Sequence, residues 1–166
     1  MINYSLRKNL GGKTLEKEVL EPAESIKKME KQLRYISGMI KQNGRKILNN
    51  YPITSPQFVA LQWLLEEGDL TIGELSNKIS LAFSTTTDLV DRMEKNELVE
   101  RVRDTNDRRV VRIHLLEKGK TIIREVILER QDYLGKVLNK FSEDEKHSLN
   151  QLLDFLFQEM KIVNEK

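Results

Sequence analysis

Five arginines lie close together in one short segment, and their spacing indicates contact with a polyanion. Within residues 101–112 the charged side chains are Arg101, Arg103, Asp104, Asp107, Arg108, Arg109 and Arg112. Five bases against two acids give this segment a charge of +3, whereas residues 71–112 as a whole hold eight basic and eight acidic side chains. Because guanidinium groups form charge-assisted hydrogen bonds with phosphate oxygens, this concentration favours a phosphate-binding surface. A solvated hairpin is the alternative.

A run of hydroxyl side chains upstream of the arginines is the second candidate for binding. The run consists of Ser84, Thr85, Thr86 and Thr87 at the expected start of a helix. Hydroxyl groups there can contact phosphates and base edges, but they are also what helix capping requires, and both interpretations stay open. Asp88 and Arg92 follow on the same helix. An acid at position 88 repels phosphate but can accept a hydrogen bond from cytosine N4.

These side chains need a scaffold, which the hydrophobic pattern predicts. Thr54 with Gln57 and Thr71 with Glu74 have the spacing of capping boxes at the starts of two helices, and a longer helix follows over residues 82–95. Residues 98–103 and 111–115 read as two β-strands, joined by the turn-forming residues in between. A helix pair followed by a basic hairpin is the order of a winged helix-turn-helix.

Helices with excess apolar surface are predicted on both sides of this region. Residues 23–50 and residues 120–166 carry apolar stripes at helical spacing, the last preceded by a capping box at Ser142 and Glu145. Burying apolar surface contributes about 25 cal/mol per Å2, which favours packing against a second copy. The expected fold class is mainly α (α+β), with a winged helix-turn-helix over 54–116, a two-stranded β-hairpin wing, and a helical dimerisation bundle from both termini.

Residues 1–22 precede this domain of residues 23–166 and are expected to form a loosely ordered arm. Gly11-Gly12-Lys13-Thr14 superficially resembles a phosphate-binding loop. Such a loop needs a glycine five residues before Gly12, where Arg7 stands. A nucleotide site is therefore not expected in the arm.

Composition argues against several classes of protein. The sequence has no cysteine, which excludes disulfides, thiol redox sensing and thiolate metal sites. The two histidines, His114 and His147, are far apart and adjoin no carboxylate cluster, so we expect neither an enzyme nor a metal or other cofactor. No apolar run approaches the ~18 residues of a membrane span, and the first residues lack the apolar core of a signal peptide. A cytoplasmic protein without membrane contact is expected.

The stretch LVDRMEKNELVERVRDTNDRRVVRIHLLEKGK, residues 89–120, resembles the multiple-antibiotic-resistance regulator (MarR) family of winged-helix transcription factors. The matching places are Leu89-Val90-Asp91-Arg92, Glu100-Arg101, Asp107-Arg108-Arg109, and Leu115 with Gly119. Thr54-x-Pro56-Gln57-Phe58 is similar to the start of the family's second helix. The order of these motifs matches the family from about residue 25 to the end.

The resemblance implies a homodimer that binds double-stranded DNA at a pseudo-palindromic operator, as a repressor that a small-molecule effector can release. It implies recognition-helix contacts from Ser84, Thr85, Thr86, Thr87, Asp88 and Arg92. It implies wing contacts from Arg101, Arg103, Asp107, Arg108, Arg109 and Arg112, with Asp107 and Arg109 paired at the tip. The alternative is a winged-helix protein-interaction module without DNA binding, which Asp88 and the balanced charge of residues 71–112 favour.

Three positions depart from the family's pattern. Glu97 stands where the family usually has glycine after the recognition helix, so Asn96 is expected to take the left-handed conformation instead. Leu116 replaces the usual threonine, which removes an N-cap worth ~1 kcal/mol. Asp88 occupies a place that is often basic or polar, and it changes the expected base contacts rather than the fold.

Overall fold

The computed structural model describes residues 23–164 of the chain, so both predictions for residues 1–22, the loose arm and the absence of a nucleotide site, lie outside it. The described residues divide into two units, one that ends at Met39 and one that begins at Ile40. The winged helix-turn-helix lies wholly within the second unit. The predicted functional residues therefore share one unit.

The described elements are mainly helical, with one small sheet. In chain order they are α1 (Glu24–Leu48), α2 (Ser55–Glu67), α3 (Ile72–Ile79), α4 (Phe83–Lys95), β1 (Val99–Arg103), β2 (Val111–Leu115), α5 (Glu117–Val137), a short 3-10 turn (Leu138–Lys140) and α6 (Glu143–Asn164). The predicted fold class, a mainly helical winged helix with a two-stranded antiparallel wing, is confirmed.

Helices α2 and α3 begin where the capping signals predict. The Gln57 backbone N–H donates to Thr54 Oγ1 at 3.4 Å, and the Thr54 N–H donates to Gln57 Oε1 at 2.8 Å. Thr71 and Glu74 exchange the same two bonds at 3.2 and 2.7 Å. These reciprocal bonds satisfy donors that a helix start leaves without a partner inside the helix.

The core of the second unit holds the helix-turn-helix against the sheet and the first half of α5. Its fully buried large side chains include Phe58, Leu61, Leu75, Val90, Met93, Leu98, Ile113, Ile123 and Val126. The backbone packs closely at Gly119, where an added Cβ would lie 2.6 Å from the Leu98 carbonyl oxygen. Only glycine allows this close approach of α5 to the start of β1, which explains the glycine at the end of the family motif.

The two strands pair antiparallel, with Arg101 opposite Ile113 and Arg103 opposite Val111. The Ile113 N–H also donates to the Leu70 carbonyl oxygen at 2.7 Å, which forms an isolated bridge to the α2–α3 turn. The sequence pattern did not predict this bridge. It attaches β2 to the helical body on the side away from β1.

The turn between α4 and β1 corrects one expectation. Glu97 itself adopts the left-handed conformation, with φ of 59°, whereas Asn96 has φ of −90°. The Leu98 N–H bonds to the Met93 carbonyl and the Glu97 N–H to the Glu94 carbonyl. In this helix-ending motif the left-handed residue is the one after the cap, so Asn96 is the cap and the prediction for it was wrong. Leu116 makes no side-chain cap bond at the start of α5, as expected.

Large apolar surfaces stay exposed on each unit. In the second unit, α6 has no buried residue and exposes Leu152, Leu153, Phe155, Phe157, Met160 and Val163. In the first unit, α1 exposes Ile26, Met29, Leu33 and Ile36. Yet no helix within residues 23–164 combines the length and apolar character needed to cross a membrane.

Candidate nucleic-acid interface

Helix α4 has one face in the core and one in solvent. Leu89, Val90 and Met93 are buried, while the side chains of Ser84, Thr85, Asp88 and Arg92 are exposed. Four of the six predicted recognition-helix residues therefore lie on the outer side of one helix. This side is polar and carries groups that donate and accept hydrogen bonds.

Thr86 does not share the outer face, which contradicts its assignment to DNA contact. It is 0% exposed, and its hydroxyl donates to the Ala82 carbonyl oxygen at 3.1 Å. The 3.6-residue period places position 86 with the buried positions 89, 90 and 93. Thr87 is half-buried, and its hydroxyl donates to the Phe83 carbonyl at 3.0 Å. For these two residues the hydroxyl proton serves the helix itself.

A groove of about 590 Å3 runs between the outer face of α4 and the start of α2. Its lining includes Pro56 and Gln57 from α2 and Thr85, Asp88, Arg92 and Lys95 from α4. The groove therefore brings together three predicted contact residues from successive turns of α4. One carboxylate and two cations line the same concave surface, so it can both accept and donate hydrogen bonds.

At the base of the wing, Arg101 ties β1 to α4. Its guanidinium donates to Asp91 Oδ1 at 2.5 Å and to the Glu94 carboxylate, and its backbone N–H donates to Glu94 Oε1 at 3.0 Å. Burial acts to lower the pKa of Arg101, but the hydrogen bonds to Asp91 and Glu94 outweigh it and raise the pKa. Two carboxylates thus offset the charge of this arginine.

Arg112, on the other strand, is tied to the helical body. Its Nε donates to the Asp104 carboxylate, and its Nη1 donates to the Asp69 carbonyl oxygen at 3.2 Å and to Glu74 Oε2 at 3.3 Å. His114, two residues further along the strand, places Nδ1 at 2.9 Å from Asp69 Oδ1. The two side chains fix one face of β2 to the α2–α3 turn.

Asp104 organises the loop that joins the strands. Its Oδ1 accepts the backbone N–H groups of Asn106 at 2.8 Å and of Asp107 at 3.1 Å. The hydrogen bond from Arg112, together with these backbone bonds, lowers the pKa of Asp104 to about 2. The carboxylate therefore stays ionised at neutral pH and holds the loop in one conformation.

The remaining wing arginines are open to solvent. Arg109 is 91% exposed, and its Nε and Nη2 donate to Asp107 at 3.1 and 3.0 Å, which forms the predicted tip pair. Arg103 and Arg108 are exposed and make no side-chain ion pair with the residues that the structure describes. We call Arg103, Arg108 and Arg109 the tip arginines, and Arg101 and Arg112 the base arginines.

The sequence reasoning missed a second groove, of about 320 Å3, that contains Arg130 of α5. The Arg130 Cζ lies 4.6 Å from the centroid of the Phe58 ring, and its buried Nε has no hydrogen-bond partner in the described part of the chain. Burial lowers the pKa of Arg130. One sequence feature could have indicated this groove: Arg130 lies within the apolar stripe of its helix, four residues after Val126 and four before Leu134.

The histidines do not form a site with other ligands. His114 belongs to the wing contacts above, and His147 is exposed on α6. Across residues 23–164, no three His, Cys, Asp or Glu side chains come close enough together to hold a metal ion.

Known proteins resemble this chain over most of its length. The model of the MarR family matches residues 53–111. The uncharacterized HTH-type transcriptional regulator YsmB of Bacillus subtilis (strain 168) is 59% identical over 141 residues, 85% of this chain and 97% of that protein. The structure of a MarR family protein from Bacillus stearothermophilus is 61% identical, covers 85% of this chain and 99% of its own, and has a TM-score of 0.79.

A solved protein–DNA complex has the same fold. The structure of Streptococcus pneumoniae FabT in complex with DNA is 23% identical, with a TM-score of 0.68 over 83% of this chain and 99% of that one. At this identity the likeness extends to the fold alone.

Proposed function

The chain belongs to the MarR family of DNA-binding transcriptional regulators, and we propose that it acts in the cytoplasm as a homodimeric repressor at a pseudo-palindromic operator. The observation that carries the proposal is that one winged helix presents both an exposed polar face on α4 and exposed arginines on its wing. Side chains of the first kind read base edges, and those of the second hold phosphate. A protein-interaction module would not require this pairing.

The proposed interface has two parts. In the major groove, α4 contributes Ser84, Thr85, Asp88 and Arg92, with a smaller part for the half-buried Thr87. At the backbone or in the minor groove, the tip arginines supply positive charge, and Asp107 orients Arg109. The carboxylate of Asp88 can select cytosine through its N4 amino group, while the arginine contacts add affinity without regard to sequence.

The dimer rests on the apolar surface outside the winged helix. We assign residues 54–116 to DNA binding and residues 23–50 and 120–166 to dimerisation. The exposed apolar side chains of α6 and of α1 support this assignment, because each face would be costly to leave in water. A two-fold dimer requires a two-fold operator with half-sites about one helical turn, ~34 Å, apart.

The Arg130 groove supports release by an anionic aromatic effector. Its lining includes three cations, Lys41, Arg45 and Arg130, and no carboxylate among the described residues. The Arg130 Nε lacks a partner, and the Phe58 ring offers an apolar wall. A carboxylate on an aromatic ring would satisfy the guanidinium and pack against the neighbouring apolar side chains.

Benzoate and its uncharged counterpart benzamide test this effector class on the full chain. We expect benzoate to raise the unfolding temperature and benzamide to leave it unchanged. Arg130→Gln should abolish the shift, whereas Arg124→Gln, on the exposed side of the same helix, should keep it. An equal shift with benzamide, or a shift that survives Arg130→Gln, would show that the groove does not select an anion.

A selection from random duplex DNA at fixed salt tests the function itself. We expect enrichment of one pseudo-palindromic sequence with two half-sites a helical turn apart. Failure to enrich any sequence would favour the protein-interaction module instead.

A further inference from the structure

We infer that Arg112 is a positioning residue: it holds the wing in the direction that DNA binding needs and does not itself contact phosphate. The inference rests on the proposed function, because its consequence is measured on DNA. It changes the role that sequence reasoning gave to this arginine, from a contact residue to one that acts through other residues.

The Arg112 guanidinium joins three separate segments of the chain. It bonds to Asp104 in the wing loop, to the Asp69 carbonyl in the α2–α3 turn, and to Glu74 in the first turn of α3. Glu74 is fixed in turn, because its Oε2 accepts the Thr71 N–H of the capping box at 2.7 Å. The wing loop is thereby connected through one planar group to the rigid start of a helix.

Asp104 carries this constraint to the tip. The carboxylate that accepts the bond from Arg112 also accepts the backbone N–H groups of Asn106 and Asp107. Asp107 then holds Arg109 by two bonds. A continuous path of hydrogen bonds runs from α3 to an arginine that is 91% exposed, so the direction of that arginine depends on Arg112.

Arg103 provides a matched contrast within the same hairpin. It is also a strand arginine, but it is exposed and makes no side-chain ion pair within the described residues. Arg112 is 31% exposed and has its Nε and Nη1 already occupied. A phosphate would have to compete with Asp104 and Glu74 for Arg112, whereas Arg103 is available.

The two roles predict opposite results for Asp104→Asn. If only net charge near DNA matters, removal of an acid strengthens binding. If Asp104 and Arg112 position the wing, the same change weakens binding by on the order of tenfold, the scale of one missing charge-assisted hydrogen bond. The substitution keeps the shape of the side chain, which limits other effects.

The first experiment measures operator affinity and its salt dependence for the full chain. Arg112→Lys keeps the charge but loses the planar fork, so we expect it to weaken binding nearly as much as Arg112→Gln. The contrast is with Arg103: Arg103→Lys keeps a charge that can still pair with phosphate, so it should lose less affinity than Arg112→Lys, and Arg103→Gln should lower the salt slope by about 0.9 for each phosphate that is no longer neutralised.

The second experiment needs no DNA. Because the sequence has no cysteine, Thr105→Cys gives a single site for a spin label at the exposed wing loop. We expect the label to be ordered in an otherwise wild-type chain and mobile when Asp104→Asn or Arg112→Lys is added, with the unfolding temperature of the domain nearly unchanged. Arg103→Gln should leave label mobility as it is.

Several outcomes would overturn the inference. Wild-type affinity in Arg112→Lys, or tighter binding in Asp104→Asn, would make Arg112 a simple cation contact. So would a label whose mobility does not respond to either change. Failure of the wild type to bind any DNA would instead contradict the proposed function, while the label experiment would still decide whether Arg112 orders the wing. Should Arg112→Gln fail to fold, the lysine and Asp104 variants still give the answer.

Discussion

The base and the tip of the wing use the same residue type for different purposes. Arg101 is 29% exposed and contacts two carboxylates, and Arg112, at 31%, also contacts two. Arg109, only a few residues away, is 91% exposed. The comparison teaches that a count of arginines does not locate available charge. The partners of each arginine determine whether it can bind phosphate, because a guanidinium that already bonds two carboxylates has few donors left.

Loss of Arg101 is expected to have the largest effect. Arg101→Met would remove the side-chain bonds to Asp91 and Glu94 and leave only the backbone N–H at position 101 to tie β1 to α4. We expect operator affinity to fall by on the order of a hundredfold, roughly 3 kcal/mol, because the wing would no longer be held in the direction that DNA binding needs. The free energy of unfolding should fall by only about 1 kcal/mol, since both carboxylates are partly exposed. DNA titration would measure the operator affinity, and urea unfolding would measure the free energy of unfolding. Equal losses of free energy in the two measurements would mean that Arg101 contributes only to the stability of the fold.

Loss of a tip arginine is expected to be milder and to act on DNA binding alone. Arg109→Ala should weaken binding by about tenfold at every sequence and lower the salt slope by about 0.9 for each phosphate that it neutralises in the wild type. Stability should not change. Affinities measured over a range of salt concentrations test this, with Arg124→Ala on α5 as the control for general charge. An unchanged slope for Arg109→Ala would remove it from the interface.

The turn before the wing base offers a change in stability without a change in binding. Glu97 is a non-glycine residue in the left-handed region, which costs roughly 1–2 kcal/mol, while glycine adds roughly 0.5–1 kcal/mol of unfolded-state entropy. Glu97→Gly should therefore raise the free energy of unfolding by up to about 1 kcal/mol and leave affinity as it is. Chemical denaturation would show it, and a loss of stability would mean that the Glu97 side chain contributes more than its backbone costs.

The smallest expected effect concerns the titration of Asp104. Since its folded pKa, about 2, lies below the unfolded value of about 3.9, its contribution to stability is complete above that unfolded value and is lost as pH falls towards 2. Between pH 5 and 8, roughly, wing order should not change. The 13C shift of the Asp104 carboxyl should have its midpoint near 2 in the wild type and move upwards in Arg112→Gln. An Asp104 midpoint that is the same in Arg112→Gln as in the wild type would contradict the proposed bond between Asp104 and Arg112.

Much of the scaffold was predictable because it depends on local chemistry. The capping boxes at Thr54 and Thr71 depend on residues three apart, and the hairpin depends on alternation within each strand. The burial of Thr86 was also within reach, since the helical period assigns it to the core face. The hydroxyl group of Thr86 instead favoured its assignment as a DNA contact.

The role of Arg112 was out of reach because two of its three partners are distant in sequence. Arg112 bonds Glu74 and Asp69, which lie 38 and 43 positions earlier, and the sequence around Arg112 does not predict either contact. The same holds for Arg130, which lies over Phe58 of another helix. The prediction of a left-handed Asn96 was wrong for a different reason. The position of the left-handed residue depends on where the helix ends, and a helix end is predicted only to within one or two residues.

The division between base and tip can be tested in the wild-type protein by chemical footprinting of arginine. The full chain would be treated with an arginine-specific dicarbonyl, with and without operator DNA, and modification would be mapped by mass spectrometry. We expect Arg103, Arg108 and Arg109 to react in the free protein and to be protected by DNA, while Arg101 and Arg112 react little in either state. Tip arginines that react equally with and without DNA, or an Arg112 that is reactive when free and protected when bound, would contradict this division.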